Sequence, residues 1–178
     1  MNTIPDVQVI ELKMNTEIKT RSYEDRDQAA VIDLILTIQQ KEFNVPIDLE
    51  RQPDLLIIPE YYQVKKGNFW VATANEVVIG SIALIDCGEG VGCIRKMFVK
   101  KEFRGKEFNI AQNLLNQLLD IAKSHDFEAL YLGTIARLEA AIRFYERNGW
   151  TPIPKADLPA SFPIMPVDTH FFQFKIMK

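Results

Sequence analysis

Residues 99–115 read VKKEFRGKEFNIAQNLL, an apolar end, then a short basic turn, then leucines at helical spacing. A helix that starts without side-chain caps offers free N–H groups and the positive end of its dipole, and a preceding strand aims both at one point. Arg104 and Lys106 add charge there, and Gly105 lets the backbone come close to a ligand. The chemistry suited to such a turn is the binding of a phosphate or pyrophosphate. Taken alone, the same residues also describe an ordinary solvated turn. The segment lacks the Gly-Lys-Ser/Thr ending of a mononucleotide loop and the three glycines of a dinucleotide fingerprint. Other reactive types are sparse. Cys87 and Cys93 read as buried, reduced thiols, and His125 and His170 stand too far apart for a metal cluster. No His lies near Cys93, which is a small buried hydrophobe on this reading.

The elements that must position this turn follow from period. IKTRSY (18–23) reads as a first strand, with Asp25 or Asp27 capping a helix over DQAAVIDLILTIQQ, where Ala30, Leu34 and Ile38 repeat every four residues. Residues 44–64 carry three prolines and hold a shorter helix around Leu55. NFWVATANEVVIGSIALID and GCIRKMFVKK contain three apolar runs broken by turn residues, which predicts three strands in an antiparallel meander. Ile110, Leu114, Leu115, Leu118 and Ala122 then mark an amphipathic helix, followed by a strand ALYLGT and a helix over RLEAAIRFYERNG that Gly149 ends. Five of the nine prolines fall between 150 and 166, predicting a rigid loop before a last strand, FFQFKIM. This order predicts an α/β fold whose mixed, mostly antiparallel sheet splays where antiparallel pairing gives way to a parallel crossover.

The bulk numbers bound the partners. A chain of 178 residues, 47% hydrophobic and 25% charged, suits a single domain over 1–178, with 1–13 as a tail and Met14 as an alternative start. No apolar run approaches the ~20 residues of a membrane span, and the N-terminus has no secretion-signal core, so the expected location is cytoplasmic. A net charge of −3 argues against nucleic acid or an anionic membrane as partner. The apolar last strand suggests a homodimer edge.

From residue 94 to 151 the chain resembles the GNAT superfamily of N-acetyltransferases. The likeness rests on Val99, the Arg104-Gly105 turn, Leu114-Leu115, and the Ala141, Tyr145, Gly149, Trp150 series. It departs at two places. The leucine pair falls two residues late, so that Asn109 and Ala111 stand where the family has small residues, and Leu138 replaces a frequent Asn. The resemblance implies a GNAT-like domain flanked by helices, with acetyl-coenzyme A as co-substrate and no metal. It implies that backbone groups of Met97, Phe98 and Val99 hold the pantetheine arm. Arg104, Gly105, Lys106, Asn109, Ile110 and Ala111 would hold the pyrophosphate, with Thr134 supplying a polar contact. Tyr145 would protonate the leaving thiolate. The acceptor would be the amine of a small molecule or a free amino terminus. Glu42, Glu60 and Glu89 are candidate bases, with ordered water an equal alternative, and Glu42 is also a candidate acceptor contact. Phe43, Tyr61, Tyr62 and Trp70 either line the acceptor cleft or fill the core. A cofactor-binding sensor without turnover, or a different acyl donor, remains compatible with the crowded turn.

Overall fold

The structure, a computed structural model, describes residues 16–177; the tail assigned to 1–13 and the alternative start at Met14 lie outside that range. Seven strands form one sheet in the order β1-β2-β3-β4-β5-β7-β6. They are β1 (Ile18–Ser22), β2 (Asn68–Ala74), β3 (Val77–Gly88), β4 (Val91–Val99), β5 (Ala129–Thr134), β6 (Thr151–Ile153) and β7 (His170–Lys175). Among the described residues four α-helices pack against it: α1 (Gln28–Leu36), α2 (Ile58–Tyr62), α3 (Ile110–Ser124) and α4 (Glu139–Arg147).

Alternation along β2 and β3 divides the core into two layers. Phe69, Val71 and Ala83 face Val31, Leu34 and Ile35 of α1 and Ile58 and Tyr62 of α2. Trp70, Ile82 and Leu84 face Ile110, Leu114, Leu115 and Leu118 of α3 and Tyr145 of α4. Each fully buried leucine in that stripe stabilises the layer by about 1.5–3 kcal/mol. The Leu114-Leu115 pair is fully buried, so the helix period read from the sequence points at the sheet as expected.

Three elements differ from the sequence reading. The first helix runs as α-helix only to Leu36 and continues as a π-helical turn, Thr37–Glu42, in which the Phe43 N–H donates to the Ile38 carbonyl. Of the repeat at Ala30, Leu34 and Ile38 only Ile38 falls in this turn, so the repeat does not reveal it. A short strand, β6, appears inside the proline-rich tract, pairing Thr151–Ile153 with Phe171–Gln173. Consequently β7 is an interior strand, paired with both β5 and β6, and is not the sheet edge expected of the terminal apolar segment. The edge falls to β6, whose Pro152 has no N–H to donate and so blunts further pairing.

Among the described residues the only parallel pair is β4 with β5, and it joins Val91–Ile94 to Ala129–Leu132 and no further. Beyond Ile94 the two strands diverge, and among the described residues the β4 edge from Arg95 to Val99 has no strand partner on that side. A bulge adds to the opening. The register with β3 passes from Ser81↔Phe98 to Ala83↔Arg95, so Lys96 and Met97 together oppose Ile82. Lys96 sits at φ 55° and its carbonyl accepts the Ser81 hydroxyl at 2.6 Å.

Candidate active site at the β4–β5 splay

The divergence opens a cleft of about 120 Å³, floored by Ile94–Phe98 and lined by Thr134, Leu138, Ala141, Tyr145, Phe43, Gln52 and Asp168. Regular strand alternation would send Arg95 and Lys96 to opposite faces; the bulge lets both line the cleft.

The basic turn closes one end. Asn109 takes a left-handed conformation, φ 55° and ψ 28°, immediately before α3, and makes no side-chain cap. Asn tolerates that region better than most residues, so the turn adopts it at little cost. Phe108, which the sequence reading passed over, anchors the inserted turn: it is 9% exposed and packs on Phe103, ring centroids 5.2 Å apart. The N–H groups of the first turn of α3 are therefore free for an anion. Gly105 holds φ 104°, and the Glu107 carboxylate folds back over it. Arg104 is engaged within the protein. Its Nε donates to the Val99 carbonyl at 2.8 Å and its two terminal nitrogens form a fork on the Glu42 carboxylate, Nη2 to Oε2 at 2.9 Å.

Tyr145 meets the same β4 edge at Met97. It is 6% exposed, wedged edge-on against Trp150 and Phe144, and its hydroxyl donates to Met97 Sδ at 3.4 Å. Burial pushes the phenol well above its ordinary value, so it remains protonated across the neutral range. Thr134, 7% exposed, and Leu138 line the cleft beside it.

The three candidate bases from the sequence lie elsewhere. Glu42 is tied to Arg104, Glu60 is exposed on α2, and Glu89 is exposed in the β3–β4 hairpin at the far end of β4. The carboxylate that does line the cleft is Asp168, in the proline-rich tract. Burial raises its pKa to about 6, although Arg95 and Lys96 oppose the shift. Behind the cleft floor runs a buried polar chain. Lys96 Nζ donates to Gln52 Oε1 at 2.6 Å and pairs with Asp54 Oδ2 at 3.2 Å, and the Tyr62 hydroxyl donates to the same Asp54 oxygen at 2.6 Å. Burial lowers the Lys96 pKa to about 8, Arg95 adds to that, and Asp54 restrains it. Of the aromatic residues singled out by sequence, Trp70 and Tyr62 are core, Phe43 lines the cleft, and Tyr61 sits behind Arg95, its hydroxyl 3.5 Å from Nη1.

Comparison with known proteins agrees with this geometry. The sequence model of the Acetyltransferase (GNAT) family matches residues 32–150. The chain belongs to that family. It is 30% identical over 131 residues to N-acetylaspartate synthetase of Homo sapiens, covering 72% of this chain and 43% of that protein. The chain thus spans under half the length of that relative. Among solved structures, a GNAT-family acetyltransferase from Staphylococcus aureus Mu50 superposes with a TM-score of 0.86 at 36% identity, covering 89% of this chain and 99% of the other. An N-acetyltransferase of Thermoplasma acidophilum in complex with coenzyme A shares the fold with a TM-score of 0.69 at 16% identity, covering 90% of this chain and 99% of the other.

Proposed function

We propose that this chain transfers an acetyl group from acetyl-coenzyme A to the primary amine of a small molecule or a free amino terminus. The observation that carries the reading is the joining of an uncapped helix N-terminus to an unpaired strand edge that ends beside a buried phenol. The residues suit the co-substrate. The first-turn amides of α3 with Lys106 fit a pyrophosphate, Arg104 joining them on leaving Glu42, and the free edge of Met97 and Phe98 fits an amide-bearing arm. Val99 contributes less than the resemblance implied, because its carbonyl is already bonded to Arg104. Bound acetyl-coenzyme A supplies an activated thioester; Tyr145 supplies the proton for the departing sulfur. The relatives named for N-acetylaspartate place amino acids among the amines to be tried. Leu138, apolar where the family often has Asn, favours a second reading, a coenzyme-binding sensor without turnover.

Titration calorimetry with acetyl-coenzyme A tests the site. Micromolar affinity, about −8 kcal/mol, is expected for the parent, and none for Gly105→Glu, whose side chain would meet both the positive φ and the Glu107 carboxylate. A well-folded parent that does not bind would overturn the proposal. In the same titration Glu42→Gln is expected to tighten binding by up to about fivefold, the worth of a partly exposed ion pair, because Arg104 is released toward the turn.

A further inference from the structure

Arg95 is the least satisfied cation in the cleft. Its guanidinium is half-buried, reaches Tyr61 Oη at 3.5 Å and lies against Met165 Sδ. Among the described ion pairs none includes it, whereas its neighbour Lys96 is committed to Asp54. A thioether and a distant phenol are poor partners for five N–H donors, and the planar fork matches a carboxylate. Asp168 stands on the same cleft with its carboxyl seated directly over Gly133 of β5: a Cβ built at Gly133 would come 2.7 Å from Asp168 Cγ. The glycine makes the space that lets the carboxylate lie at the splay.

We propose that the acceptor carries a carboxylate close to its amine, as a free amino acid does, with Arg95 gripping the carboxylate and Asp168 receiving the ammonium and its proton. This rests on the acetyl-transfer reading above. A cleft holding Arg95, Lys96, Asp54 and Asp168 is near neutral overall, and a zwitterion fits it without leaving a buried charge unpaired. Asp168 takes one proton from the ammonium, making a free amine. As nitrogen bonds to the acyl carbon and the carbon–sulfur bond breaks, Tyr145 gives its proton to sulfur and regains one from the new amide nitrogen. Asp168 releases its proton to solvent, so the products are the N-acetyl acid, free thiol and one proton. Arg95 is a specificity residue here, and Asp168 a catalytic one.

The test is thiol release from acetyl-coenzyme A with acceptors that differ only in the carboxylate: glycine, L-alanine and L-aspartate against their carboxamides, with a dipeptide as a further arm. The acids are expected to be preferred, and Arg95→Gln to raise KM for them by about 10- to 100-fold with kcat little changed, erasing the preference over the amides. Arg95→Lys, which keeps the charge without the fork, is expected to restore part of it. Asp168 is faced by Arg95 and Lys96 from β4, with Lys155 and His170 beyond it on its own side, the His170 ring turned to Thr169. Parent kcat/KM is expected to rise with pH through about 6 as Asp168 ionises. That limb should vanish in Asp168→Asn, and Gly133→Ala, which displaces the carboxyl, should shift it. Coenzyme affinity should be unchanged in all four variants. Amides or dipeptides used as well as the acids, or a preference that survives Arg95→Gln, would overturn the proposal while leaving acetyl transfer intact. If no amine turns over, carboxylate-dependent binding of the same acids to protein loaded with coenzyme A would uphold the Arg95 grip alone, and its absence would overturn it.

Discussion

Tyr145→Phe is expected to lower kcat by about 10²–10⁴-fold, the range for loss of a positioned proton donor, while leaving both the melting temperature and the coenzyme affinity close to those of the parent. The ring packs with Trp150, Phe144 and Phe172, ring pairs that phenylalanine keeps. The hydroxyl's partner is the Met97 thioether, a weak acceptor that phenylalanine leaves in an apolar setting. Losing such a bond costs well under the about 1 kcal/mol typical of a neutral hydrogen bond. An effect confined to kcat therefore separates proton donation from packing. Because burial holds the phenol protonated, the alkaline limb of the parent's profile should not fall below the ordinary tyrosine range. Unchanged turnover would mean that water protonates the thiolate. A parent that binds coenzyme and acetylates no amine would favour the sensor reading, and Tyr145→Phe would then alter nothing measurable.

The parts of the site that sequence reveals are those built by local pattern. Val99, the Arg104-Gly105 turn, the leucine pair and the Ala141-to-Gly149 spacing each sit within one strand, turn or helix; Ala141 and Tyr145 line the cleft, Arg104 bonds the end of β4 at Val99, and the leucine pair is buried against the sheet. Asn109 stands at φ 55°, a conformation that its residue type tolerates better than most. Arg95 and Lys96 were not legible, because a strand predicts alternation and nothing in GCIRKMFVKK marks a bulge: the residue at positive φ is a lysine, neither Gly nor Asn. Asp168 was hidden for a different reason. Its tract has no period, and its partner position, Gly133, lies in another strand, so only the folded register brings them together. Glu42 reads as a candidate base or acceptor contact by its place after the first helix, yet the π-helical turn at that point aims it at Arg104. No helix among the described residues is long and apolar enough to cross a membrane.

Asp54→Ala is expected to destabilise the protein by about 3–5 kcal/mol near neutral pH, the cost of breaking one side of a buried ion pair. Asp54 is 7% exposed and serves two buried donors, Lys96 Nζ at 3.2 Å and the Tyr62 hydroxyl at 2.6 Å, so its removal strands a cation and a phenol together. The loss should depend on pH in a direction that Lys96 dictates. Its folded pKa, about 8, lies below the ordinary 10.5. The unfolded chain therefore binds more protons than the folded one between those values. This group's contribution to stability is full above the unfolded value and lost as pH falls through about 8. In the parent, stability attributable to Lys96 rises with pH across that window, until Tyr62, whose raised pKa acts in the opposite sense, begins to ionise in the unfolded chain near 10. In Asp54→Ala the lysine has already lost its reason to stay charged. The difference between parent and variant is therefore largest below about pH 8, where the parent still holds the ion pair. Above it, the difference shrinks toward the about 1–3 kcal/mol of an unmet Tyr62 hydroxyl. Urea unfolding of both proteins on either side of that pH measures the change. Adding Lys96→Met to Asp54→Ala should recover most of the loss at the lower pH and little at the higher, because an apolar side chain needs no counter-charge. Equal losses at both pH values would show that Asp54 acts through Tyr62 alone, and that the cation under the cleft floor is held by Gln52.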